Sequence, residues 1–179
     1  MRRCSASSDF MKSSADAKTI ADPGGARAAR IAAFLDAHHV MSVATCGPNG
    51  PHAASLFYAR DGFDLIWVSD PKSEHSRHVA ERARIAVTIA RDYGDFPEIK
   101  GLQIAGDAHR LADGADSARA RSCLEARYPF LRDANASPAL REAYDKARFY
   151  RLVPARIVFI DNSRGLGFKE TLEFANPRP

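Results

Sequence analysis

Apolar and polar residues alternate along much of the chain with the period of two that is typical of β-strands. The alternation predicts a series of short strands, at residues 40–46, 52–58, 63–69, 84–90, 102–111, 149–153, 155–160 and 168–174. Turns at 47–51, where Asn49-Gly50 supplies positive φ angles, and at 60–62 join the first three strands into an antiparallel meander. Pro154 should separate two strands, and Gly106, inside a long strand, indicates a bulge or a close backbone approach.

Four further segments predict helices, at residues 26–38, 74–81, 115–127 and 138–146. In the first, apolar positions at i, i+3, i+4 and i+7 from Ile31 form a stripe that should pack on a sheet. Asp113 is placed to cap the third helix, and Ser137 followed by Pro138 to start the fourth. Short hairpin-connected strands with helices at the margins predict an α+β, mainly β, fold built on a closed antiparallel barrel of about seven strands.

Residues 1–24 are rich in Ser, Ala and charge, which predicts a disordered N-terminal extension before a single domain at 25–175. No apolar run reaches the roughly 18 residues that cross a bilayer, and the N-terminus lacks a signal-peptide stretch. We therefore expect a cytoplasmic protein with no membrane partner. Cys46 and Cys123, without paired spacing, are expected to be small buried thiols.

The net charge of +4 on 179 residues is mild, and Lys and Arg are spread along the chain. Phe57, Trp67 and Phe159 sit among aliphatic neighbours, which indicates a core and not the exposed aromatic face of a nucleic-acid-binding barrel. We therefore expect no nucleic-acid partner.

Residues 69–78 collect the groups that a phosphate needs: hydroxyls, cationic or protonatable side chains and a helix start. Arg77 is favoured as a ligand over a solvated helix residue, and His78 is equally consistent with either role. The small side chains of strand 52–58 leave room for a flat molecule beside the backbone, although His52 itself more readily begins an edge strand. The sequence thus predicts a site for a phosphorylated, flat cofactor. His75 and His78 could face one metal ion, but without a third ligand at a fixed spacing we expect no metal site.

The order of these motifs carries a resemblance to a known family. The strand 40–46, Asn49-Gly50-Pro51-His52, Trp67-Val68-Ser69, Ser76-Arg77-His78 and Lys100-Gly101-Leu102-Gln103 resemble the pyridoxamine 5-phosphate oxidase-like split-barrel flavoproteins over roughly residues 28–174. The closing segment 159–169 is similar to a small bacterial subgroup of that superfamily. The resemblance implies an antiparallel split β-barrel with peripheral helices, FMN as cofactor, and a homodimer with the cofactor at the interface.

The resemblance also implies roles for individual residues. Those that match the strand along the flavin ring are Ala53, Ala54, Ser55, Leu56 and Phe57. Those that match the phosphate grip are Ser69, Lys72, Ser76, Arg77 and His78. Gln103, Phe168 and Lys169 would approach the ring from the same or the partner subunit. The Arg-Lys pair of true pyridoxamine 5-phosphate oxidases is replaced here by Glu74-His75 or Arg77-His78, so the resemblance implies FMN binding without implying oxidation of the vitamin.

These inferences predict an FMN-binding oxidoreductase that acts on an unidentified small molecule or electron donor. The sequence assigns no catalytic acid or base. The alternative is a non-catalytic flavin or heme carrier with the same barrel.

Overall fold

The structure is a computed structural model in which residues 25–133 and 137–175 are described; the predicted disordered extension 1–24 lies outside them. The helices are α1 (Ala26–Ala37), α2 (Glu74–Glu81), α3 (Ala115–Arg127) and α4 (Pro138–Lys146). The strands are β1 (Val40–Gly47), β2 (Gly50–Phe57), β3 (Ala59–Asp61), β4 (Asp64–Ser69), β5 (Arg84–Ala90), β6 (Lys100–Arg110), β7 (Arg148–Asp161) and β8 (Lys169–Glu173). Short 3₁₀ turns lie at Phe96–Glu98, Pro129–Arg132 and Asn162–Arg164.

The strands form one curled antiparallel sheet in the order β2-β1-β5-β6-β7-β4-β3, with β8 also paired to β7. Its two edge strands, β2 and β3, are consecutive in the chain and are separated by Tyr58 alone. Because one residue spans so short a distance, the sheet must curl until its edges meet. The predicted α+β, mainly β, antiparallel split barrel with peripheral helices is confirmed.

β7 is the element on which the sheet divides. Its first half pairs with β4, through 148–152, and its second half pairs with β8, through 156–160, while β6 follows it on the other side. The expectation that Pro154 separates two strands was therefore wrong, because β7 is continuous. Pro154 lies where the partner changes from β4 to β8 and beside the register shift at Ala105/Gly106, so its missing N–H falls where the ladder is already interrupted.

Three smaller expectations also need correction. The predicted strand 52–58 ends at Phe57, and of the residues predicted as a turn at 60–62, Arg60 and Asp61 belong to β3 while Gly62, with φ 65°, lies in the turn. The predicted meander of three strands was wrong, because β4 pairs with β3 and β7 and not with β2. At the start of α3 the N-cap is Gly114, with φ 137°, and the Ser117 hydroxyl accepts a hydrogen bond from its amide in place of the expected Asp113. Ser137 does cap α4, accepting from the Leu140 amide.

The core lies in two layers. The interior of the barrel is filled by residues of α1 and most strands, including Ile31, Leu35 and Trp67, which are all fully buried. A second cluster packs α3 and α4 against β3, β4 and the start of β7 through Ile66, Leu124 and other apolar side chains. No helix of the described residues is both long and apolar enough to cross a membrane.

The outer face of the sheet is exposed over β2, β1 and β5 and carries small side chains. Register places Ser55 beside Ser42 and Thr88, and Ala53 beside Ala44 and Ala86. Three expectations of burial were wrong. Cys46 and Phe57 both lie on this face and are exposed, and Cys123 of α3 is only half-buried. The alternation that was used to place them gives a strand two faces, but it does not tell which face the barrel encloses.

Candidate cofactor site

The loop from β4 into α2 forms a compact network of hydroxyl groups around one imidazole. The Oγ of Ser69 lies 2.7 Å from Nε2 of His75, and the Oγ of Ser73 lies 3.1 Å from the same nitrogen. The Ser73 hydroxyl donates in turn to Ser76 at 2.8 Å. His75 and Ser76 are buried, so the network fixes the first turn of α2 to the end of β4.

Ser73 occupies the N-cap position of α2, but its side chain is engaged by Ser69, His75 and Ser76 and does not accept from the helix amides. The first N–H groups of a helix have no partner inside the helix. In this helix they therefore remain available to an acceptor from outside, and the helix dipole favours an anion there.

His78 lies one turn further along the same helix. Its Nδ1 lies 3.0 Å from the Thr45 hydroxyl of β1, and the residue is buried, with 4% of its surface exposed. A Cβ on Gly47 would come within 2.1 Å of the His78 ring, so the glycine at the end of β1 is what admits the imidazole. Sequence reasoning gave Gly47 a role only in a turn and missed this one.

A third histidine, His52 of β2, completes the cluster. Its ring is stacked on that of His75 at 6.2 Å and meets that of His78 edge-on at 6.0 Å. Burial, followed by the neighbouring His52 and His78, lowers the pKa of His75 from its usual value. Glu74 adds a carboxylate, with oxygens 3.4 Å from His52 Nδ1 and 3.8 Å from His78 Nε2.

An apolar cavity of about 410 Å³ opens beside this loop. Its walls come from the ends of β2 and β4, from α3 and α4, and from the 3₁₀ turn 129–132. The lining includes Leu56, Phe57, Ser69, Tyr128 and Tyr144. Phe57 is 55% exposed and its ring contacts those of Tyr128 and Phe130. A volume of this size, mainly apolar with a few polar groups at one end, suits a small organic ligand.

The structure brings together one part of the predicted site. Ser69 and Ser76 lie in the hydroxyl network, and Leu56 and Phe57 line the cavity. His78 lies in the histidine cluster, next to His52. Ala53, Ala54 and Ser55 lie along β2, an edge strand whose far side pairs with no strand of the described sheet. Lys72 and Arg77 belong to the same loop and helix, but both are exposed.

The remaining predicted residues are distant within one chain. Gln103 lies on β6, three strands from β2, on the same outer-face row as Ser55. Phe168 and Lys169 stand at the start of β8, at the other end of the sheet. Within one chain they do not approach the hydroxyl network, and their role stays a prediction. Among residues 25–133 and 137–175 no group of three or more His, Cys, Asp or Glu side chains is arranged to hold a metal ion.

Comparisons with known proteins agree with this architecture. The chain is 27% identical over 143 residues to a UPF0306 protein of Klebsiella pneumoniae, covering 79% of this chain and 89% of that one. It is similar in structure to the conserved hypothetical protein Rv2991 of Mycobacterium tuberculosis, with a TM-score of 0.64, 22% identity and coverage of 76% and 85%. A heme binding protein of Mycobacterium smegmatis gives a TM-score of 0.59 at 21% identity, with coverage of 79% and 56%.

The family itself follows from a match to a family model. Residues 28–160, which take in seven of the eight strands, match the family model described as pyridoxamine 5'-phosphate oxidase. That stretch contains the hydroxyl network, the three histidines and all four helices except the first residues of α1. The chain belongs to the pyridoxamine 5'-phosphate oxidase family.

Proposed function

We propose that this protein binds FMN between two copies of the chain and acts as an oxidoreductase on a small molecule. The observation that carries the proposal is the hydroxyl and histidine network at the uncapped start of α2, joined through Ser69 to an apolar cavity. A polar anion site next to an apolar cavity matches a ligand with a phosphate at one end and a flat ring at the other.

The phosphate end fits the residues present. Ser69, Ser73 and Ser76 bring three hydroxyls together at the start of α2, whose first amides receive no side-chain cap from Ser73. Arg77 and Lys72 are exposed nearby and are free to turn toward a bound anion. Together these groups supply the directed donors and positive charge that bind phosphate tightly.

The ring end fits β2. An edge strand presents N–H and C=O groups to a ligand without breaking a sheet ladder, and the small side chains at 53–55 allow close approach of a flat ring. FMN, when bound, supplies the hydride or electron chemistry. This chain's residues would bind and orient the cofactor, while Leu56, Phe57 and the aromatic side chains of the cavity exclude water from one side.

The cavity is also where a small-molecule substrate would enter. Its walls are mainly aliphatic and aromatic, and Lys146 and Asp70 are the charged residues that line it. Gln103, Phe168 and Lys169 would then come from the second subunit. No catalytic acid or base is assigned.

A second candidate function is a non-catalytic flavin or heme carrier. A barrel of the same fold is a heme binding protein in Mycobacterium smegmatis, and a cavity lined by aromatic side chains suits either ring system. The two functions differ in turnover. A flavoenzyme's bound flavin is bleached by a reduced nicotinamide and re-oxidised by its substrate, whereas a carrier's flavin stays oxidised when the nicotinamide is added.

The test is a visible absorption spectrum of the purified protein after addition of FMN and removal of the excess. We expect a two-banded flavin spectrum. Ser76→Ala should weaken FMN binding by about tenfold, the loss of roughly one hydrogen bond to a charged group. Ser122→Ala, which removes a hydroxyl bonded only to the Ala118 carbonyl of α3, is the matched control and should bind as wild type. A protein that stays colourless at high FMN contradicts the proposal, and a sharp heme band favours the carrier.

A further inference from the structure

Three imidazoles converge where the proposed phosphate would bind. His75 and His78 come from consecutive turns of α2 and His52 from β2, with ring centroids 6.0 Å to 6.2 Å from His52 to the other two. We infer that these histidines add positive charge to the site by taking up protons when a dianion binds, so that anion binding is coupled to pH. The inference rests on the proposed function and names the regulation of that same site.

The permanent cations are placed less favourably than the histidines. Lys72 and Arg77 are exposed, whereas His75 is 7% exposed and His78 4%. A buried ionisable group interacts more strongly with a neighbouring charge than an exposed one does, because water screens less of the interaction. The histidines are therefore the groups whose charge state a bound anion changes most.

The position of Glu74 shows that the cluster accepts an anion. Its two carboxylate oxygens lie on the histidine cluster, one 3.4 Å from His52 and the other 3.8 Å from His78. Glu74 is also the first residue of α2, where a negative charge is stabilised by the helix dipole. A bound phosphate would compete with this carboxylate for the same place.

The other groups that face the cluster do not replace the histidines. Thr45 of β1 and the serines 69, 73 and 76 are neutral hydroxyls. Asp70 accepts from the Lys72 amide, and Asp107 of β6, a strand that also packs against α2, pairs with Arg84. The imidazoles are therefore the side chains of this cluster whose protonation a bound anion would favour.

The direction of the pH effect follows from the packing. Three imidazoles this close repel one another when charged, and burial lowers the pKa of His75, which favours its neutral form in the free protein. A dianion beside them favours the protonated forms. Binding then takes up protons, and by linkage the affinity rises as pH falls through the histidine range.

The experiment is a flavin-fluorescence titration with FMN, with sodium sulfate as a competitor, from pH 6.5 to 8. Sulfate keeps its charge over this range, so its pH dependence reports the protein alone. We expect the sulfate affinity to fall about three- to tenfold per pH unit, where tenfold corresponds to one proton taken up. Riboflavin, which lacks the phosphate, should bind without this dependence.

Variants assign the effect. His52→Gln and His75→Gln should each flatten the pH profile, while the exposed His109→Gln on β6 should leave it unchanged. Glu74→Gln should tighten sulfate binding about two- to fivefold by removing the competing carboxylate. A sulfate affinity that does not change with pH overturns the inference. So does a result in which Arg77→Gln abolishes sulfate binding while the histidine variants keep the wild-type pH profile. FMN that fails to bind at every pH instead overturns the proposed function.

Discussion

At Gly106 the backbone of β7 leaves no room for an added methyl group. A Cβ at this position would lie 2.2 Å from the Val153 carbonyl oxygen and 2.9 Å from Pro154 Cα, both backbone atoms of β7. Backbone in the middle of a sheet cannot move aside as the tip of a flexible side chain can. Gly106→Ala should therefore lower the free energy of unfolding by about 1–3 kcal/mol, measured as the midpoint of urea unfolding.

The control for this substitution is Gly94→Ala. A Cβ on Gly94 has no neighbour within 4 Å among the described residues, so the change should stay within about 0.5 kcal/mol of wild type. Equal unfolding midpoints for the two variants would show that the close approach at Gly106 does not limit stability. The structure confirms the expectation that Gly106 marks a bulge or a close backbone approach, because the register shifts at Ala105/Gly106 and the backbone of β7 lies against the glycine.

At the scale of elements, Arg127 joins α3 to the end of α1. Its Nη2 donates to the carbonyls of Leu35, Asp36 and His38 at 3.1, 3.1 and 2.5 Å. These are the last carbonyls of a helix, which have no partner within it, and α1 has no basic residue in its own last turn. The side chain of Arg127 is only 15% exposed.

Arg127→Met keeps the aliphatic packing of that side chain and removes the donors. We expect a loss of about 1.5–3 kcal/mol, because hydrogen bonds to a charged group are the stronger class and the carbonyls would be left without them. Thermal unfolding followed by circular dichroism measures it. Arg132→Met, which breaks an exposed pair with Glu125, is the comparison and should cost less than about 1 kcal/mol. Similar losses for both would show that the contact to α1 is of no special importance.

The same element scale separates what the sequence predicts from what it does not. Helix and strand positions follow from local periodicity, which is why all four helices and most strands lie where they were predicted. Pro154 was misjudged because its tolerance depends on Gly106, on β4 and on β8, none of which is a sequence neighbour. The sequence did not predict the histidine cluster for the same reason, because His52 joins His75 and His78 through the packing of α2 on β1 and β2.

At the scale of the whole molecule, the outer face of β2, β1 and β5 is the surface that the proposed dimer would cover. An exposed sheet face usually carries charged or long polar side chains, but Ser42, Ala44, Ala86 and Thr88 make this one flat and nearly uncharged. Such a surface permits close approach of a second sheet. The same face includes Ala53 and Ser55 of β2, the strand proposed to lie along the flavin ring, so dimer formation and FMN binding should depend on each other.

Ala44→Arg places a long charged side chain at the centre of this face. Because Ala44 is exposed in the monomer, the substitution should not affect folding. We expect wild type to elute at about twice its 19.6 kDa mass. The variant should elute as a monomer that has lost most of its FMN affinity. A stable dimer buries roughly 1,600 Å² and does not accommodate an unpaired charge at the centre of that interface. Light scattering coupled to size exclusion measures the mass. Glu81→Arg, an exposed change at the end of α2, should leave the dimer intact. A wild-type monomer that binds FMN fully would show that one chain completes the site, and Gln103, Phe168 and Lys169 would then have no part in it.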